Sequence, residues 1–210
     1  MSLTAFSSSL LEIFAIQTLS QVTPLNLTAE DGEYAFYRNI MDETEFPFDR
    51  LLDSSQSQVA AIIQKHFLAE DGNRESNGAS DILRIDDAFC INYNMSQDDT
   101  RCAKHTDPSD ITLNMCLECL DEIEGSQVLF YGTQELYNVA RGSEGKVGDE
   151  SFLFLVRPVP GYATVHWGHH PHQTVPLKRG ERTNIVVTFC YKDKSKSTAL
   201  LRTCYATDGS

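Results

Sequence analysis

The sequence predicts a mostly β chain, a barrel or double-sheet jelly roll preceded by a short helical support. Two observations carry this. From about residue 81 onward, short apolar or alternating runs follow one another, with Gly, Asn, Asp and Pro between them. Before that point the signals are helical or loop-like, and the best helical periodicity lies at residues 56–68. We therefore expect residues 1–80 to form a helical and loop support packed on the core, and residues 81–210 to form one catalytic β domain.

In chain order, residues 7–19 are apolar with serines at the start, which suits a short helix. In QSQVAAIIQKHFL (56–68), Val59, Ile62, Ile63 and Phe67 recur at helical spacing, with Ser54, Ser55 and Ser57 as cap candidates and His66 as an ordinary helix-end residue. GNRESNGAS (72–80) reads as a polar loop. Strands are expected at 87–94, 111–118, 126–132, 151–161, 162–167 and 183–191, with a turn at 96–101. The run ITLNMCLE alternates, placing Leu113, Met115 and Leu117 on one face and Thr112, Asn114 and Cys116 on the other. Residues 133–150 are too long for a hairpin loop, and together with the acidic tract 96–99 they are candidates for a substrate lid.

The formal charge of −13 argues against double-stranded nucleic acid as a partner, because such a field repels phosphate. A local basic pocket is still compatible with this balance: no Lys or Arg precedes Arg38, whereas Lys178, Arg179, Arg182, Lys192, Lys194 and Lys196 gather near the C-terminal end. The apolar run 10–16 is broken by Glu12 and has no basic flank, so it does not read as a signal peptide, although a presequence already removed would leave the same pattern. No run approaches the roughly 20 apolar residues of a membrane span. The expectation is a cytoplasmic protein whose cysteines (Cys90, Cys102, Cys116, Cys119, Cys190 and Cys204) are free thiols. Cys116-x-x-Cys119 has zinc-like spacing, but no second such pair follows and the motif sits in a strand pattern, which favours packed thiols.

His105-x-Asp107 is the first chemical signal. At a strand end, residues two apart point the same way, so an imidazole and a carboxylate can converge on one ion. Taken alone the pair is equally a polar turn. A catalytic metal needs a third ligand, and HWGHHPH (166–172) offers four histidines. Two histidines and one carboxylate with open positions form the arrangement of non-haem Fe(II) oxygenases.

The ordered set HTDPSDITLNMCL, EGSQVLFYG and GYATVHWGHHPHQTVPLKRGERTNIVV resembles the 2-oxoglutarate- and Fe(II)-dependent oxygenases of the prolyl 4-hydroxylase type, over about residues 87–191. The resemblance implies a double-stranded β-helix core, jelly-roll and cupin-like, with N-terminal helices. It implies Fe(II) held by His105, Asp107 and His172. His172 is singled out by the spacing His172-x3-Pro176-x3-Gly180-x-Arg182. The co-substrates implied are 2-oxoglutarate and O2, with ascorbate as an accessory reductant. Arg182 would take the far carboxylate of 2-oxoglutarate, a role its guanidinium fork suits on chemical grounds. Asn184, Asn114 and Tyr93 are further co-substrate candidates. The family's second Gly in its EGG run is Ser126 here, a departure in strand geometry rather than in a ligand.

The remaining polar residues have quieter readings. His166 is expected to be structural or close to the co-substrate, and His169 and His170 to lie on the surface or behind the ligands. Lys178 and Arg179 face water beside the Gly180 turn, and Trp167 packs at the rim or core rather than stacking on substrate. The resemblance implies hydroxylation of a C–H bond on a protein or peptide side chain, proline first. Hydroxylation of a small molecule or free amino acid is the alternative. A nucleic-acid oxygenase and an inactive binding module follow behind.

Overall fold

The computed structural model describes residues 13–15, 37–39, 48–53, 57–68, 78–96, 100–131 and 153–199. Two antiparallel sheets dominate it. In the larger, β1 (Ile13–Ala15), β8 (Tyr162–Trp167), β5 (Ile111–Glu124), β10 (Arg179–Tyr191), β3 (Leu83–Asn94) and β2 (Tyr37–Asn39) lie side by side in that order. In the smaller, the order is β4 (Cys102–His105), β9 (His172–Thr174), β6 (Val128–Tyr131) and β7 (Leu153–Val156). This is the jelly-roll arrangement the alternating runs call for.

The helices gather at one face of the larger sheet. A 3-10 turn at Phe48–Leu52 and the helix α1 (Gln58–His66) bury Leu51, Leu52, Val59, Ala60 and Ile63 against Leu113, Met115, Ala163, Val165, Ile185, Val187 and Phe189. The Ser57 side chain accepts from the Ala60 N–H and caps α1. A second short helix, α2 (Ala79–Ile82), runs directly into β3. Of the polar loop expected at 72–80, residues 72–77 lie outside the described residues and Ala79 and Ser80 belong to α2; the strand expected from residue 87 starts at Leu83.

Other expectations shift. Residues 13–15 form a strand and not the helix expected over 7–19. They pair with β8, Ile13 opposite Thr164, and so cover an edge that would otherwise be open; a short apolar run cannot by itself tell helix from strand. The rest of 7–19, the excursion at 133–150 and residues 97–99 of the acidic tract lie outside the described residues. β4 and β9 are polar three- and four-residue strands that the sequence does not announce. They exist because they pair with each other, His105 opposite His172.

Along β5 the expected alternation holds. Leu113 and Met115 face the helices, while Thr112, Asn114 and Cys116 lie on the opposite face with Arg182 and Asn184 of β10 and Thr164 and His166 of β8. That second face is the floor of the site.

Candidate active site

β4 and the turn after it deliver His105 and Asp107, and β9 delivers His172. One ligand atom from each lies within 4.8 Å of the others. Asp107 Oδ1 is 3.4 Å from His105 Nε2 and 3.6 Å from His172 Nε2. Each ring is oriented from behind. His105 Nδ1 is 2.7 Å from the Ala103 carbonyl, and His172 Nδ1 is 2.9 Å from the His170 carbonyl. A carbonyl only accepts, so Nδ1 carries the hydrogen in both rings and Nε2 points at the carboxylate. A neutral imidazole then sets a lone pair against carboxylate lone pairs, a repulsive contact that a cation between them turns into attraction. The donor set and its spacing therefore fit a divalent metal with open positions.

The two rings differ: His172 is neutral, whereas His105 holds a proton that a bound metal would have to displace. Burial pushes His172 down to about 4, with His166 adding to the effect, so its imidazole is neutral and ready to coordinate. His105, beside Asp107 and then Cys102, is pushed up to about 10. Burial alone would raise Asp107, but His105, His172 and His166 outweigh it and hold the carboxyl below the usual range.

Residues the sequence reading passed over complete this end. Thr112 Oγ1 donates to Asp107 Oδ2 at 2.6 Å and meets Ser109 Oγ at 2.9 Å. The same alternation that singled out Asn114 places Thr112 here. Phe130 of β6 stacks on the His172 ring, with centroids 5.3 Å apart. Asp110, fully buried, accepts from the backbone N–H groups of Tyr191, Thr198 and Ala199 and from the Ser197 hydroxyl, so the turn after Asp107 is tied to the segment after β10. The Asp107 N–H donates to the Gly168 carbonyl, and the Gly168 N–H to the Asp110 carbonyl, both at 2.8 Å. A Cβ on Gly168 would stand 2.0 Å from the Ser109 carbonyl oxygen, so this crossing requires glycine.

The other histidines separate. His166 is buried, donates from Nδ1 to the Trp167 carbonyl and turns Nε2 toward Asp107 Oδ2 at 3.9 Å. Burial pushes it down, against the pull of Asp107. His170 is buried and supplies the carbonyl behind His172. His169 stacks on Trp167, which packs against Phe67 of the helical layer. Lys178 and Arg179 are exposed and pair with Glu124 and Glu122.

Arg182 forms the opposite end. Its side chain is 2 % exposed, Nη1 donates to the Ser126 carbonyl, and Nε has no hydrogen-bond partner. No carboxylate among the described residues forms an ion pair with it. Burial pushes the guanidinium pKa down, opposed by Tyr93, whose ring centroid is 5.0 Å from Cζ. An unpaired buried cation is costly, and an anionic ligand is the ordinary remedy. Arg182, Asn184 and Asn114 line one open pocket, with Phe130 on its wall and Arg157, Val159 and Tyr162 at its edge. Asn184 donates to Asn114, and the Asn184 carbonyl oxygen is itself buried and unsatisfied. Tyr93 is not among the pocket-lining residues and lies against the guanidinium instead. Ser126, where the family pattern has glycine, adopts φ 59°, and in this left-handed conformation its carbonyl meets Arg182.

No family model matches the chain. It is 27% identical over 151 residues to the 2-oxoglutarate and iron-dependent oxygenase domain-containing protein CP2 of Arabidopsis thaliana; the match covers 72% of this chain and 34% of that protein. Among solved structures, the epimerase SnoN in complex with Fe3+, alpha ketoglutarate and nogalamycin RO superposes with a TM-score of 0.50 at 16% identity, over 73% of this chain and 62% of that one. A Pseudomonas putida prolyl-4-hydroxylase gives 0.44 at 16% identity, over 73% and 67%. The chain thus has the jelly-roll fold of the 2-oxoglutarate- and Fe(II)-dependent oxygenases and resembles them in sequence.

Proposed function

We propose that the chain is an Fe(II)- and 2-oxoglutarate-dependent dioxygenase that hydroxylates a C–H bond on a protein or peptide side chain, proline being the first candidate. The observation that carries the reading is the combination of a cluster of two imidazoles and a carboxylate with a buried arginine that has no carboxylate partner among the described residues, in a pocket shared with Asn114 and Asn184 whose wall residue Phe130 stacks on His172. His105, Asp107 and His172 would hold the metal. Arg182 would bind the far carboxylate of 2-oxoglutarate, with Asn184 beside it. Bound iron supplies the coupling of 2-oxo acid decarboxylation to oxygen insertion. The protein's own part is to orient the rings through Ala103 and His170, hold Asp107 ionised, and keep Arg182 dry behind Tyr93.

The peptide reading rests on the pocket's edge. Arg157, Val159 and Tyr162 are exposed there, and β7, the edge strand of the smaller sheet, exposes Leu153, Phe154 and Leu155. An open, apolar rim suits an extended segment laid across it. The charge of −13 suits a neutral or basic segment. Among the described residues no helix is long and apolar enough to cross a membrane. The test is anaerobic loading with Fe(II), then air, 2-oxoglutarate and a proline-containing peptide library. Succinate formation together with a gain of about 16 Da on a peptide supports the reading. Succinate with oxygen gained only by small molecules moves the substrate class, and no succinate with any substrate overturns the activity.

A further inference from the structure

Behind Arg182 lies a feature that metal binding and co-substrate recognition leave unused. Cys116 and Cys119 are free thiols with Sγ atoms 3.5 Å apart. Three residues along a regular strand would carry them well apart. Here the register of β5 against β10 slips between Thr183 and Asn184, so that Cys116 stands opposite Asn184 and Cys119 opposite Arg182. The two thiols are the cross-strand neighbours of the pocket's two polar β10 residues. Cys116 is buried and lines that pocket, and both sulfurs lie in the electrostatic surroundings of the guanidinium.

We propose that Cys116 and Cys119 are a reversible oxidation site whose disulfide loosens the anion-binding end of the pocket, an inference that rests on the co-substrate reading of Arg182. The oxidant is hydrogen peroxide. Cys119, half-buried, is the sulfur it reaches first: the sulfur attacks the O–O bond, takes one oxygen as a sulfenic acid, and the other oxygen leaves as water. Cys116 Sγ then attacks Cys119 Sγ, the S–O bond breaks, and a second water leaves. Two thiols have lost two electrons and two protons to one peroxide. A thiol reductant reverses the step. The order follows from the surroundings, since burial and then Cys119 push the Cys116 thiol up to about 12, which makes it the resolving partner rather than the first nucleophile. Closing the sulfurs from 3.5 Å to a bond of about 2 Å pulls the bulged segment between them, and with it the strand that backs Arg182.

The experiment treats the full chain with hydrogen peroxide, maps thiols by alkylation and peptide mass, and measures 2-oxoglutarate affinity by calorimetry with Mn(II) present. The expected result is a loss of about 2 Da in the peptide holding both cysteines. With it comes a roughly tenfold or greater weakening of 2-oxoglutarate binding, the size of one charge-assisted hydrogen bond, restored by dithiothreitol. Cys119→Ser should keep its affinity after peroxide. Both thiols remaining open to alkylation after peroxide overturns the site. Equal loss of affinity in Cys119→Ser also overturns it, and assigns the sensitivity to another thiol such as Cys102, whose Sγ is 3.5 Å from His105 Nδ1. Failure of the reduced protein to bind 2-oxoglutarate overturns the Arg182 reading and any control exerted through it, while the mass result judges the disulfide separately.

Discussion

The two faces of the larger sheet are made by the same strands and obey different physics. On the helical face, Ile63 of α1 and Leu113, Val187 and Phe189 of the sheet are fully buried in apolar contact. On the other, Thr112, His166, Arg182, Asn184 and Thr188 are also buried, but they are polar. The first face stabilises by removing apolar surface from water, about 25 cal/mol per Å². The second forgoes that gain and leaves Arg182 Nε and Asn184 Oδ1 unsatisfied. Buried polar groups without partners cost stability, which is why this face is the one the proposed function assigns to ligand binding.

Substitutions on the two faces should separate. The largest effect is expected from His172→Ala. Removing residues that only orient a ligand costs about 10- to 100-fold in metal affinity, so loss of the ligand itself should exceed that and abolish 2-oxoglutarate turnover; metal titration and succinate release read it, and unchanged values would take the metal away from His172. Next is Ile63→Ala, expected to cost about 2–5 kcal/mol of unfolding free energy in urea, while the folded fraction keeps its metal affinity. Arg182→Met should divide the two properties within one residue. Binding of 2-oxoglutarate falls by about 10- to 150-fold, corresponding to 1.5–3 kcal/mol, yet stability holds or rises, because a buried cation gives way to an apolar chain. A drop of stability parallel to the loss of binding would mean that Arg182 serves the fold. The smallest effect is Ser126→Gly. Relief of the left-handed conformation at φ 59° and removal of a buried, unpartnered hydroxyl should raise stability by about 1 kcal/mol, with 2-oxoglutarate affinity unchanged because the carbonyl that meets Arg182 remains.

What the sequence reveals differs between the faces in the same way. The helical face is readable from periodicity, because Val59, Ile63, Leu113 and Met115 repeat at the spacing of their own elements. At the site, His105 and Asp107 stand out through residue type and spacing, His172 and Arg182 through the resemblance to the oxygenase motifs, and Asn114 through alternation. The supports of those residues do not. β4 and β9 are too short and polar to carry a strand signal and depend on partners about seventy residues apart. The carbonyls of Ala103 and His170 orient the rings, and a carbonyl has no residue type to read. Phe130 looks like any strand aromatic until it is found on His172. Residues 13–15 read as helix because their strand character comes from β8 and not from themselves.

β10 holds a further consequence. It lies between β5 and β3, with Val187 opposite both Leu113 and Ala88. It is the last strand among the described residues yet sits inside the sheet, with β5 and β3 on its two sides. A ribosome making this protein therefore releases β3 and β5 long before the strand that joins them, and both wait with open edges that invite pairing with other chains. The closing strand is also the one that carries Arg182 and Asn184. Joining of β3 to β5 and arrival of Arg182 and Asn184 are one event during synthesis, so a nascent chain with this sheet assembled already has both side chains in place.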